Sequence, residues 1–334
     1  MYFLPGLGFM SLFKKLAVFS KLLLLTLFLV TTTTGCLEPQ KPPLRVSSSP
    51  WPGYEPLYLA RDLGYIESDY ASMFELPSSD ITMEAFRNHS TDLATLTLDE
   101  TMDLLQDGKK LRILLVLDIS NGGDAVLAKP DIKSIQDMKG KRVSIVNIPL
   151  GLYMLTRTLD HAGLERKDVE VFPMSETKQE DFYLSNNADV VITFEPVKTK
   201  LIQAGAHVIF DSSNIPNEVF DLLVVHEDVY QERRDDVCKV VNGWFKALDY
   251  MQSDTDDAAI KITKRLGLEK KDYSALMSGL ILPDREKNKR ILSGETPELI
   301  KPAERLVKIM LEEGLLKKQV DASNSIDVNF SSCY

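Results

Sequence analysis

The chain has 334 residues, of which 44% are hydrophobic and 26% are charged, a composition typical of one large or two medium globular units. With 17 Gly and 16 Pro, it is neither collagen-like nor a disordered tail, and its apolar content does not suggest a polytopic membrane protein. Because 39 Lys and Arg stand against 49 Asp and Glu, the formal charge is −10, which is the wrong sign for binding a phosphate backbone, and we expect no nucleic-acid partner.

Residues 1–35 have the pattern of a signal peptide for export. Three lysines and no acidic residue precede or border the apolar run 22–30, and small polar residues follow it. Nine uninterrupted apolar residues are far fewer than the roughly 20 that a membrane-spanning helix needs. We therefore predict a cleaved signal rather than a permanent anchor, and the sequence leaves open whether translation starts at Met1 or Met10.

The end of this signal, Thr-Thr-Gly-Cys at 33–36, resembles a bacterial lipobox, although Thr33 stands where an aliphatic residue is usual. The resemblance implies that Cys36 is lipidated and that 36–43 is a Pro-rich tether, which would make the protein a membrane-anchored lipoprotein of the periplasm or outer cell face. Cleavage nearby by an ordinary signal peptidase is the alternative. If Cys36 carries lipid, Cys238 and Cys333 remain as the one possible disulfide pair, and their spacing does not decide whether they pair.

After the tether, short apolar runs alternate with amphipathic segments, as expected for mostly parallel α/β layers. The pattern predicts strands over 44–47, 92–97, 111–117, 125–128, 142–146, 169–172, 189–193, 207–210 and 222–225. From about residue 227 the pattern is helical, with helices predicted over 237–252, 255–266, 271–278 and 296–311.

The segment 51–65 follows the first strand and reads Trp-Pro-Gly-Tyr-Glu-Pro-Leu-Tyr-Leu-Ala-Arg-Asp-Leu-Gly-Tyr. It resembles the opening of solute-binding proteins of the nitrate, taurine and alkanesulfonate ABC-importer family. Segments 124–129, 135–146, 188–196 and 211–216 are similar to later landmarks of that family in the same order. The resemblance covers about residues 44–230.

The resemblance implies an α/β, two-lobed type II periplasmic binding protein fold, with a cleft between the lobes and a helical C-terminal layer. Carried onto this chain, lobe one would comprise 44–125 plus 218–334, and lobe two 126–217. It also implies a small-molecule ligand in the cleft, an ABC permease as partner and no cofactor. A ligand would lie where strands end and helices begin.

Loops at those positions supply the candidate ligand-binding residues. They are Trp51, Gly53, Tyr54, Asp99, Asp118, Asn121, Asp124, Asn147, Gly151, Tyr153, Phe194 and Glu195, with Glu100 beside them. Each has a competing structural interpretation: the rings fill the core, Asp99 caps a helix, the residues around Asn121 form a polar turn, and Glu195 serves a helix dipole.

These loops are rich in carboxylates and contain no Arg or Lys. Carboxylates with aromatic faces suit a cationic or neutral nitrogenous solute better than a sulfonate or nitrate, although a helix N-terminus can also bind an anion. A ligand-sensing subunit for a membrane kinase or cyclase is one alternative function. An enzyme of the thiamine-precursor or menaquinone type on the same fold is another. The four histidines are isolated and no catalytic motif is present, so we predict no enzymatic activity and no metal.

Overall fold

The structure is a computed structural model that describes residues 41–334. The signal peptide predicted over 1–35 and the lipidation predicted at Cys36 lie outside the described residues. Residues 43–334 form a compact unit. Within the described part of the chain, no helix is both long enough and apolar enough to cross a membrane.

Eleven strands form two sheets in the described chain. The first sheet has the order β11-β4-β10-β3-β1-β2. Its strands are β1 (Leu44–Ser48), β2 (Ala71–Glu75), β3 (Leu93–Thr97), β4 (Leu111–Ser120), β10 (Phe220–His226) and β11 (Leu280–Ile281). The second has the order β7-β6-β8-β5-β9. Its strands are β5 (Ala125–Ala128), β6 (Arg142–Val146), β7 (Glu170–Met174), β8 (Val190–Thr193) and β9 (His207–Asp211).

Helices pack around these sheets. Those between the strands are α1 (Glu55–Asp62), α2 (Ser79–Arg87), α3 (Leu98–Gln106), α4 (Pro149–Ala162), α5 (Glu176–Leu184), α6 (Val197–Gln203) and α7 (Glu227–Glu232). The C-terminal helices are α8 (Arg234–Ser253), α9 (Thr255–Arg265), α10 (Tyr273–Ser278), α11 (Arg285–Leu292) and α12 (Ile300–Glu312). The α/β class and the helical C-terminal layer are confirmed.

Strands β2 and β11 and helix α11 were not predicted from the sequence, and three of the predicted C-terminal helices begin two to four residues away from their predicted starts. β2 is a half-exposed edge strand without clear alternation, and β11 has only two residues that pair with the end of β4. The last helix begins at Ile300 instead of residue 296, and residues 298–299 before it form a turn.

The chain crosses between the sheets twice, at 121–124 and at 212–219. Both sheets are mixed. β1 pairs with β2, and β6 with β7, in parallel. β10 pairs with β3, and β5 with β8, in antiparallel orientation, and β10 and β5 are the strands that follow the crossovers. Ala125, the last residue of the first segment predicted for lobe one, pairs with Thr193 in the second sheet. The Ser120 and Ser212 hydroxyl groups are hydrogen-bonded at 2.8 Å, so the end of β4 lies next to the end of β9.

Strand β10 shows why the C-terminal helices are needed. All seven of its residues are buried, so both faces of the first sheet must be covered. Leu222 and Val224 pack in one core with apolar residues of α12, whereas Leu223 and Val225 pack in another core with residues of α8. This alternation follows the two-residue period of a strand. The C-terminal layer thus covers the first sheet on two sides.

Cys238 of α8 and Cys333 form a disulfide with a Cα–Cα distance of 5.1 Å. This pairing, which the sequence left open, joins the C-terminus to the helical layer of the first sheet.

Candidate functional site

A cleft lies between the two lobes, at the ends of strands from both sheets. It encloses about 320 Å³ of space between its lining atoms, partly open to solvent. Its lining residues are Ser49, Pro50, Trp51, Tyr54, Ser79, Thr97, Asp124, Ile148, Leu150, Phe194 and Asp221. A smaller cavity of about 190 Å³ adjoins it and shares Asp124, Leu150 and Phe194. The cleft is mostly apolar with a few convergent polar groups, as small-molecule sites are.

The loop after β1 brings the Trp51 indole within hydrogen-bond distance of the buried Asp118 carboxylate. Trp51 is 5% exposed, and its Nε1–H donates to Asp118 Oδ2 at 2.9 Å. A Cβ added to Gly53 would lie 1.7 Å from that Oδ2, so glycine is required for this close approach. Gly53, which was predicted to bind the ligand, thus lies against the Asp118 carboxylate.

A second aromatic residue of the loop is held in the same way. The Tyr54 hydroxyl donates to Asp221 Oδ1 at 2.5 Å. Asp221 and Asp118 are register partners on β10 and β4. Burial, together with the neighbouring carboxylate, raises the pKa of Asp221 well above its usual range, and burial raises that of Asp118 to about 7. The sequence analysis did not identify Asp221, because it lies inside a strand rather than in a loop after one.

Asp124 lies on the first crossover and lines both cavities. Its side chain is 3% exposed, and Oδ2 has no hydrogen-bond partner among the described residues. Burial raises its pKa to about 7, against the opposing effect of a hydrogen bond from Ser120. Such a buried, unpaired acceptor, on a residue that lines both cavities, is suited to an N–H donor of a ligand.

Two acidic residues occupy the first turn of α3, near the cleft. The cap of this helix is Thr97, not Asp99, and Glu100 completes the capping box by accepting the Thr97 N–H at 3.0 Å. The Ser79 hydroxyl also donates to Glu100. Burial raises the pKa of Asp99 to about 6 and that of Glu100 to about 8. Neither Asp99 nor Glu100 lines the cleft.

Lobe two contributes the start of α4, through residues other than those that the sequence analysis selected. Ile148 and Leu150 line the cleft, whereas Asn147 is exposed and outside the lining. The Tyr153 hydroxyl donates to Glu218 Oε2 at 2.6 Å, which ties it to the second crossover. Gly151 lines the smaller cavity, and a Cβ there would lie 2.1 Å from a backbone oxygen of β6.

Phe194 lines both cavities and meets Trp51 edge to face across the cleft, with ring centroids 5.9 Å apart. Glu195 next to it is directed into its own helix: Oε2 accepts the Thr199 N–H at 3.1 Å, and Oε1 lies 3.5 Å from Lys198 Nζ. This geometry agrees with the competing interpretation of Glu195 as a helix-start residue. Among the sequence-predicted residues, Asn121 is half-buried and also lies outside the lining.

Lys198, the second residue of α6, is a cation near the site that was not predicted from the sequence, because it lies in a helix and not in a loop after a strand. Its Nζ donates to the Gly122 carbonyl at 2.7 Å and faces Glu195, so its hydrogen bonds link the second lobe to the first crossover. Lys198 does not line the cleft.

A family model described as NMT1/THI5 like matches residues 51–258. No curated protein matches the chain. Among solved structures, the periplasmic aliphatic sulphonate binding protein SsuA of Escherichia coli is 18% identical with a TM-score of 0.71, covering 87% of this chain and 99% of that one. The alkanesulfonate-binding protein SsuA of Xanthomonas axonopodis pv. citri, bound to MOPS, is 16% identical with a TM-score of 0.73, covering 86% and 99%.

The desulfurization enzyme DSZB is also similar, with 16% identity, a TM-score of 0.65 and coverage of 86% of this chain and 98% of that one. At these identities, the similarity to solved structures shows the fold. The two-lobed periplasmic binding protein fold is therefore confirmed, and the same fold also carries an enzyme.

Proposed function

The chain belongs to the NMT1/THI5-like family, and we propose that it is an extracytoplasmic solute-binding lipoprotein that captures a small nitrogenous molecule, cationic or neutral, in the interlobe cleft and delivers it to an ABC importer. Its fold neighbours include periplasmic binding proteins, and the cleft is lined from both lobes. A ligand that contacts both lobes binds their closed arrangement more tightly and so stabilises it. A permease would then recognise this closed form.

The observation that carries the choice of ligand is the charge of the lining. Asp124 and Asp221 are the acidic residues among the described lining residues, which include no Lys, Arg or His, and the unpartnered Oδ2 of Asp124 is a hydrogen-bond acceptor. Lys198, the nearby cation, is already engaged by Glu195 and by a carbonyl. A sulfonate or nitrate would bring a second negative charge into a dry acidic cleft, where repulsion is strong. An amine or N–H-bearing heterocycle would instead supply the missing donor.

Enzymatic catalysis on this fold has less support in the described residues. Both described cysteines are joined in the disulfide, away from the cleft. The hydroxyl groups of Ser49, Ser79 and Thr97 line the cleft, but no histidine lines it to act as their base.

A thermal-shift screen of the purified full-length chain tests this proposal. Amines, amino-acid derivatives, pyrimidines, sulfonates and nitrate would be compared at equal ionic strength. A solute that binds only the folded state at 100 times its dissociation constant adds about 2.7 kcal/mol of stability. We expect stabilisation by nitrogenous compounds, accompanied by a smaller radius of gyration in solution scattering. Stabilisation by sulfonates or nitrate alone would contradict the ligand class, and a radius unchanged by a saturating ligand would contradict lobe closure.

A further inference from the structure

The buried carboxyl groups beside the cleft differ in the hydrogen bonds that their oxygens accept. Asp118 accepts the Trp51 indole N–H, and Asp221 accepts the Tyr54 hydroxyl. Asp124 lines both cavities, and its Oδ2 accepts no hydrogen bond from the residues that the structure describes. Leaving a buried acceptor unpaired costs free energy. A ligand donor would remove this cost at Asp124.

The Asp118–Asp221 pair has a different environment. The two residues lie directly opposite each other on β4 and β10, and both are buried. Two adjacent carboxyl groups in a dry site do not both ionise, because like charges repel, and they share a proton instead. Asp118 Oδ1, which has no other partner, is the oxygen that such a proton would satisfy. The remaining charge of the pair is stabilised by the indole N–H and the phenol O–H.

The other acidic groups near Asp124 are used locally or lie outside the lining. Glu195 accepts the Thr199 N–H, and Glu100 completes the capping box of α3. Asp99 has one unpartnered oxygen but does not line either cavity. The charged and titratable groups that act on Asp124 and on the pair are thus Asp99, Glu100, Glu195, Lys198 and Tyr54.

We propose that Asp124 alone makes the charged contact with the ligand, while the proton-sharing Asp118–Asp221 pair positions Trp51 and Tyr54 as apolar walls. This inference rests on the proposed solute-binding function and narrows its ligand to a monocation with a flat apolar body. The flat body lies against Trp51 and Phe194, which line the cleft and contact each other edge to face. A dication would leave its second charge unpaired, and a neutral analogue would lose the charge-assisted bond to Asp124.

Four compounds that share a benzyl ring test the proposal. Benzylammonium and benzylguanidinium are monocations, benzyl alcohol is neutral, and p-xylylenediammonium is a dication. Trp51 and Trp244 are the two tryptophans of the chain, and Trp244 is buried in the helical layer. A Trp244→Phe background therefore makes Trp51 fluorescence the reporter of the cleft. We expect both monocations to bind more tightly than benzyl alcohol and the dication.

Two variants separate the two roles. Asp124→Asn should weaken the monocations by about 10- to 150-fold and change benzyl alcohol by less than about 3-fold, because only the charge-assisted bond is lost. Asp118→Leu should shift the Trp51 emission of the ligand-free protein and weaken charged and neutral probes by similar factors, because it removes the acceptor of the Trp51 indole N–H and releases the ring. Asp137→Asn, which changes a carboxylate on the surface of lobe two, is the matched control and should change neither quantity.

Calorimetry in buffers of different ionisation enthalpy adds a readout that a structural role would not change. Benzylammonium should release a proton on binding near pH 6, and Asp124→Asn should abolish this release. Equal affinity of the Asp124→Asn variant and the unmodified chain for the monocations would overturn the proposal. So would the failure of both monocations to bind at millimolar concentration. If neutral or anionic solutes still stabilise the protein in either case, the solute-binding function stands and only this inference fails.

Discussion

Replacing Asp124 by Asn should stabilise the ligand-free protein even as it weakens binding. Burial raises the Asp124 pKa from 3.8 to about 7, so the folded chain holds this proton more tightly than the unfolded chain does. The cost of ionising the folded form is absent below about pH 4, grows as the pH rises, and is fully present above about pH 7. A shift of about three pKa units corresponds to an upper limit of about 4 kcal/mol. Because the buried amide of Asn also lacks a partner, we expect a gain of about 1 to 3 kcal/mol at pH 8.

Urea unfolding at pH 5, 6, 7 and 8 measures this gain, which should be largest at pH 8 and should shrink toward pH 5. Asp189→Asn is a control for which we expect the opposite change in the free energy of unfolding. Asp189 accepts hydrogen bonds from Arg142 at 3.0 and 2.7 Å and from Lys129 at 3.2 Å, and the Arg142 guanidinium holds its pKa well below the usual range. Its stabilising contribution is present at neutral pH and is lost at acid pH, so Asp189→Asn should destabilise most at neutral pH.

If Asp124→Asn destabilises the protein at pH 8, as Asp189→Asn does, the predicted gain in stability is refuted. Such a result would mean that the Asp124 carboxylate holds the first crossover in place and is not an unpaired charge kept for a ligand. A gain that does not vary with pH would equally contradict the assignment, because it would not arise from ionisation.

Three further changes have definite expected outcomes. Cys333→Ser should reduce the free energy of unfolding by about 4 kcal/mol in urea titrations, since the bond to Cys238 closes a loop of 95 residues; an unmodified chain whose urea midpoint does not respond to reductant would contradict this. Gly53→Ala should cost about 1 to 3 kcal/mol and alter the near-UV circular dichroism, because the added Cβ meets the Asp118 carboxylate; unchanged stability and spectrum would show that the loop rearranges freely. Cys36→Ser should abolish metabolic labelling by palmitate and move the protein to the soluble fraction, and unchanged labelling would exclude lipidation at this residue.

The sequence alone determined the α/β class and most of the elements, because their signals are local. The two-residue alternation of strands and the apolar stripes of helices are encoded within ten or so neighbouring residues. The same local patterns predicted Trp51, Tyr54, Asp124 and Phe194, which lie in the segments that follow strands and line the cleft. It failed for β11, which has two residues and exists only through its pairing with β4.

Only the tertiary structure decided how the individual carboxyl groups are used. Trp51 and its acceptor Asp118 are 67 residues apart, and Tyr54 and Asp221 are 167 residues apart. No local pattern marks Asp221, because its role depends on the register between β10 and β4. Whether a buried oxygen is paired or left free depends on the groups that distant segments bring within about 3 Å of it. The sequence therefore predicts an acidic cleft, whereas only the tertiary structure shows that Asp124, unlike the carboxyl groups around it, lines the cleft with an unpaired oxygen.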